Sequence, residues 1–160
     1  MRRGLRWTAA ILMLGGLASC GQSEGARAPS SPAPPLGVYT LSASGCSYEG
    51  NDKIAAGRGS ITLSNKISTE AHFDFWRLDP GRSYAEFRAH IQEAQRRRLA
   101  GEPELGHPTF ANLSTSTTVF AGTGQSLAIP GEAGTYGMAY IPVGPPFHGM
   151  FAAGPVEISR

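Results

Sequence analysis

The apolar run that follows the first arginines, residues 7–17, stops at 11 residues, well short of the ~20 that a membrane-spanning helix needs. A permanent transmembrane helix is therefore not expected. The familiar signatures of catalysis are missing as well. The nearest approach to a Gly-x-Ser-x-Gly nucleophile elbow, Gly45-Cys46-Ser47-Tyr48-Glu49-Gly50, has the wrong spacing. There is no glycine-rich phosphate loop, no His-Glu-x-x-His pair and no Cys/His cluster at zinc-binding spacing. No enzymatic activity is expected from such a sequence. Cysteine is scarce too, with only Cys20 and Cys46, so a disulfide-stapled scaffold is excluded.

What the chain does have at its start is an address. Arg2, Arg3 and Arg6 precede the apolar stretch, and the small residues Ala18 and Ser19 precede Cys20, the order of a secretory signal. Leu17-Ala18-Ser19-Cys20 resembles the bacterial lipobox. That resemblance implies cleavage before Cys20, diacylation of its thiol and stable anchoring to a membrane by two or three acyl chains. Residues 1–19 are thus expected to be a lipoprotein signal peptide. Residues 20–36, crowded with Ser23, Pro29, Ser30, Ser31, Pro32, Pro34 and Pro35, cannot repay their ordering entropy and read as a tether. Gly21, standing where some inner-membrane lipoproteins carry aspartate, favours outward sorting if the cell has an outer membrane. The expected location is a cell membrane or outer membrane, facing the periplasm or the exterior.

Loss of the signal also changes the charge. Without Arg2, Arg3 and Arg6, 11 basic residues face 12 acidic ones, and the mature net charge is about −1. The apparent basicity lies largely in the discarded peptide, and no basic patch interleaved with aromatics remains, so nucleic acid is not a partner. If Cys20 is lipidated, Cys46 has no partner within the mature chain. A buried, idle thiol is the simple reading of Cys46, although intermolecular pairing or oxidation remains open.

Residues 37–160 suffice for one domain. Segments rich in Thr, Val, Ile, Phe and Tyr alternate with Gly, Pro, Asn and Ser, the rhythm of a mostly β sandwich or barrel. Strands are expected at 38–43, 60–65, 72–78, 117–121, 125–129, 135–141 and 156–159, paired antiparallel because the connections are short. One helix is expected at about 83–99, where Tyr84, Phe87, Ile91, Ala94 and Gln95 trace a stripe at three- and four-residue spacing. Ser83 and Glu86 form a capping-box pattern. Arg96, Arg97 and Arg98 suit the negative helix end and read as solvated charge, with anionic lipid as an alternative contact. Glu102 and Glu104 read as solvated acids of the following loop, and His90 and His107 as surface residues.

Several landmarks then fall in a known order: residues 59–65, Ala71-His72-Phe73-Asp74-Phe75, Gly134-Thr135-Tyr136, Tyr140-Ile141-Pro142 and Phe147-His148-Gly149-Met150. Together they resemble a cupredoxin, the blue-copper-type Greek-key β-sandwich, with the helix at 83–99 as an insertion. By that resemblance His72 and His148 match the two histidine ligands of copper-carrying members and Met150 the axial methionine. The cysteine position falls at Tyr140 or Ala139, so the thiolate that tunes a blue-copper site is missing.

The resemblance therefore implies a cupredoxin-like domain without redox copper, acting as a binding or structural module toward an extracytoplasmic protein, glycan or small ligand. Trp76, Tyr140 and Phe147 are candidate surface aromatics, with burial in the core as the simpler alternative. No cofactor is expected on this reading. The alternative is a colourless copper-binding protein in which His72, His148 and Met150 hold the metal for storage, delivery or resistance. If the ancestral ligand geometry survives, Tyr140→Cys with Cu(II) should turn the protein intensely blue.

Overall fold

A computed structural model describes residues 35–144 and 149–160. Nine strands and one helix follow one another along the described residues: β1 (Gly37–Ser42), β2 (Gly45–Gly50), β3 (Lys53–Ala55), β4 (Ser60–Asn65), β5 (Ala71–Leu78), α1 (Tyr84–Leu99), β6 (Ala111–Val119), β7 (Gly124–Ala128), β8 (Gly134–Pro142) and β9 (Phe151–Ser159). They build a four-stranded sheet in the order β2-β1-β4-β7 and a five-stranded sheet in the order β3-β9-β8-β5-β6. The expected mostly β fold with one helix is what forms. The signal and residues 20–34 of the tether lie outside the described residues, while Leu36, taken as the tether's end, already bonds to Ser60 and Asn51 of the domain.

Burial along the strands shows how the layers stack. In β1, residues alternate between buried and half-buried, as expected of a sheet with one face toward the core and one toward water. β5 and β8 are buried almost continuously, because both of their faces are covered. Tyr39, Leu41, Ile61 and Leu63 of the smaller sheet meet Phe73, Phe75, Tyr136, Met138 and Tyr140 of the larger one in an inter-sheet core. On the opposite face of the larger sheet, Trp76, Leu78 and Ala139 pack beneath Phe87 and Ile91 of α1.

Gly137 permits that second layer. A Cβ on Gly137 would stand 2.8 Å from the Phe87 ring, closer than any side chain tolerates, so glycine is what lets α1 approach β8. The helix starts as its sequence dictates. The Ser83 side chain accepts a hydrogen bond from the Glu86 backbone N–H, and the Glu86 carboxylate accepts one from the Ser83 N–H in return. At its other end Arg96 donates to both Glu93 and Glu102, and Arg97 donates to Glu93. These arginine contacts hold the Glu93 carboxyl down at about 2. Glu102 stays exposed, as expected of a solvated acid, and also pairs with Arg96 where the chain leaves the helix.

Pairing departs from expectation in two ladders. β1 and β4 pair in parallel, as do β3 and β9, while the other five ladders are antiparallel. The short connections do not force β1 against β4, because β2 and β3 intervene. Neither β2 nor β3 is expected from the sequence: β2 offers only Cys46 and Tyr48 as apolar positions between Gly45 and Gly50, and β3 is three residues long. β6 begins at Ala111 rather than at residue 117, and its polar first half is held by pairing with β5. β9 begins at Phe151 rather than at residue 156, held by its ladder with β8.

Asn65 ties the end of β4 to its surroundings. Fully buried, it donates from Nδ2 to the carbonyls of Thr69 and Val119 at 2.8 and 2.9 Å and accepts from the Ile67 N–H at 3.1 Å. Asn65→Ala would take a partner from two buried backbone groups, the Val119 carbonyl and the Ile67 N–H, and from the part-buried Thr69 carbonyl. We expect a loss of about 2–4 kcal/mol, read from urea unfolding as a lower midpoint at unchanged slope.

Candidate functional site

Side chains alternate across β5, so Ala71, Phe73 and Phe75 enter the inter-sheet core while His72, Asp74, Trp76 and Leu78 take the helix side. β8 adds Ala139 and Ile141 to the helix side. After α1 the chain must return along this face, because β6 starts where Ala111 pairs with Leu78. The Asp79 N–H donates to the Phe110 carbonyl at 3.0 Å, and His90 Nε2 lies 3.0 Å from the Gly106 carbonyl, which fixes the return segment to the helix. Sheet, helix and return segment enclose a cleft of about 160 Å³, with Asp74 and Trp76 of the sheet, His90 of the helix, His107 of the return segment and Met150 before β9 among its walls.

Its polar groups are few. Asp74 is only 7 % exposed and accepts from Ser116 Oγ at 2.5 Å. A carboxylate in so dry a position is costly unless it is paired or well hydrogen-bonded. Trp76 is 5 % exposed, and its indole N–H has no hydrogen-bond partner among the described residues. A buried donor without an acceptor costs about 1–3 kcal/mol. The His107 ring stands 5.3 Å from the Trp76 ring. His90 meets the Phe110 ring edge-on at 6.0 Å. Arg98 and Glu104 stand at the exposed margin of the cleft, and Arg98 is itself engaged.

The residues expected from the sequence are dispersed. His72 is half-buried on the helix side of β5, with Nδ1 2.9 Å from Thr118 Oγ1. Met150 packs against the helix-side cluster and lines the cleft. Cys20, His148 and Phe147 lie outside the described residues. Tyr140 is fully buried in the inter-sheet core, its ring 4.3 Å from that of Phe73, and burial raises its phenol well above the ordinary range. Trp76 and Tyr140 are therefore not surface aromatics. Cys46 is half-buried against the same inter-sheet core, where burial pushes its thiol up to about 12 and disfavours the nucleophilic, metal-binding thiolate.

The described residues do not fit a blue-copper ligand set. His72 pairs with Ile141 and Phe73 with Tyr140 across β5 and β8, so position 140 and His72 face opposite sides of one sheet. Cys46 lies in the core on the far side from His72. No three His, Cys, Asp or Glu side chains among the described residues converge as a metal cage would require. Conversely, the sequence reading passed over Asp74, His90 and His107 as chemistry. Asp74, an acid among Phe73, Phe75 and Trp76, reads as the polar half of a strand alternation, and only the helix covering its face makes it a nearly buried group. His90 and His107 carried no signal, because only the return of the chain brings them to one cleft.

No protein-family model matches this chain, and no curated protein matches it. Among solved structures, that of auracyanin B is similar at 15 % sequence identity with a TM-score of 0.36, over 81 % of this chain and 91 % of that one.

The opposed faces reverse the outcome expected for Tyr140→Cys. A thiol at position 140 would point into the inter-sheet core, so Cu(II) added to the folded variant should give no intense visible band. Absorption titration checks this, with circular dichroism to verify folding. Native Cys46 should meanwhile react with iodoacetamide at pH 8 at least tenfold more slowly than in urea.

Proposed function

We propose that this chain is a lipid-anchored, extracytoplasmic binding module, non-enzymatic and without redox copper, that takes a small ligand in the helix-side cleft. The observation that carries this reading is the cleft itself, where a nearly buried carboxylate and a tryptophan with an unsatisfied N–H stand together among apolar side chains. Apolar walls with a few convergent polar groups are how small-molecule sites are generally built. Its size decides the scale of the ligand. Apolar cavities near 150 Å³ hold a benzene-sized molecule, so about 160 Å³ suits one ring with a short arm.

The anchoring rests on the lipobox resemblance at Cys20, and no helix among the described residues is long and apolar enough to cross a membrane. The membrane partner is then lipid, through acylated Cys20, with the domain facing the periplasm or exterior. Copper binding through His72, His148 and Met150 gains no support from the contact His72 makes with Thr118 or from the packing of Met150 against the helix-side cluster.

Both halves of the proposal are open to test. Metabolic labelling with palmitate should mark the expressed chain, and Cys20→Ser should lose the label and leave the membrane fraction. Trp7 leaves with the signal peptide, so Trp76 is the one tryptophan of the mature, detergent-solubilised lipoprotein and its fluorescence reports on the cleft. Benzyl alcohol, used as a neutral ring-sized probe, should change that fluorescence saturably. Ala94→Phe, which fills the cleft from the helix side, should abolish the response. A linear, non-saturating response that Ala94→Phe leaves unchanged would refute the cleft as a ligand site.

A further inference from the structure

The charge and shape of the cleft narrow the ligand further. Asp74 sits on its sheet wall, and none of the ion pairs among the described residues reaches its carboxylate. Its one hydrogen-bonding side-chain partner among them is Ser116, which occupies Oδ1. A carboxylate offers about four acceptor positions, so most of its capacity is left over in a place with little water. The cost of holding such a charge falls when a cation or a multiple donor arrives.

Beside it on the same strand face stands Trp76, with the His107 ring 5.3 Å away. Flat π-surfaces attract both planar apolar groups and organic cations. Ile91, Ala94, Ile141 and Met150 complete an apolar surround. An anionic ligand would face Asp74 directly. A metal ion would find one carboxylate on the sheet wall, another at the exposed margin and, among the described residues, no convergent cage of His, Cys, Asp or Glu. A neutral ring would fill the apolar volume and leave the carboxylate as it is.

We propose that the helix-side cleft selects a small protonated amine carried on a flat apolar body about one six-membered ring in size, with Asp74 as its counter-charge and Trp76 against the ring. This assignment rests on the cleft being the ligand site and adds the chemical class of what enters. The ammonium donates to Asp74, Ser116 continues to hold Oδ1, and the ring lies among Trp76, Ile91 and Met150. Arg98, engaged at the margin, and Glu104 remain outside this contact.

The test compares benzylamine with benzyl alcohol, which matches it in size and lacks the charge, on the mature, detergent-solubilised lipoprotein. Fluorescence titration at pH 7 should give benzylamine a Kd at least tenfold below that of the alcohol. Asp74→Asn should bring the two probes within about twofold of each other. Equal binding of both probes to the chain with Asp74 intact overturns the amine assignment, as does a margin that survives Asp74→Asn. In either case saturable alcohol binding blocked by Ala94→Phe keeps the cleft as a ligand site. Absence of a saturable response to both probes overturns the assignment and the cleft together. The comparison of the two probes needs no substitution at Asp74, so it decides the matter even where Asp74→Asn fails to fold.

Discussion

The seat of α1 on Gly137 is the contact on which the rest of the molecule depends. With the Phe87 ring where a Cβ would otherwise stand, the helix covers the face of the five-stranded sheet that would otherwise meet water. Trp76, Leu78 and Ala139 become core residues as a result. Burying large side chains of this kind is worth about 1.5–3 kcal/mol each, and a methyl at position 137 would force overpacking of about 1–3 kcal/mol. The same seating removes Asp74 from solvent, which turns an ordinary strand acid into the most demanding polar group of the helix side. The chain must then come back from the helix end to begin β6 beside Leu78, and that return closes the cleft over Asp74 and Trp76.

The two layers differ in chemical character. Between the sheets, aromatic rings stack on one another, with Phe75 and Tyr136 centroids 4.9 Å apart, and burial raises the Tyr39 and Tyr140 phenols and the Cys46 thiol. Ionised forms are disfavoured there, so this layer holds the fold and offers no reactive group. Beneath the helix, polar residues are few but confined, and each interaction counts for more because little water competes. The arginine and glutamate contacts at the end of α1 belong to neither layer. They lie at the surface, where solvent and salt screen such pairs, and their clearest consequence is geometric: Glu102 starts the return segment in the right place.

The Arg96–Arg98 run shows how a bland and a sharp reading separate. As a sequence pattern it suited either a solvated helix end or an anionic lipid surface. Arg96 is held by Glu93 and Glu102, Arg97 by Glu93, and Arg98 is engaged as well, so the guanidinium groups of the run are already occupied. Local acids therefore answer most of the charge that a membrane surface was invoked to meet.

Much was legible in the chain itself, wherever the deciding interactions are local. The capping box of Ser83 and Glu86 and the stripe of Tyr84, Phe87 and Ile91 mark α1 because a helix closes its hydrogen bonds within a few residues. The alternation in residues 60–65 and 72–78 marks two strands because successive side chains of a strand point to opposite faces. Composition and spacing also determined the mostly β class and the want of catalytic motifs. Tertiary structure alone decided that β1 runs parallel to β4, that polar segments such as β2 and the start of β6 become strands, and that Tyr140 and His72 face opposite sides of one sheet. It also decided that Asp74, His90 and His107 share one cleft. These outcomes depend on which distant segment lies alongside, and a strand's face is dry or wet only according to what packs on it, which no window of neighbouring residues contains.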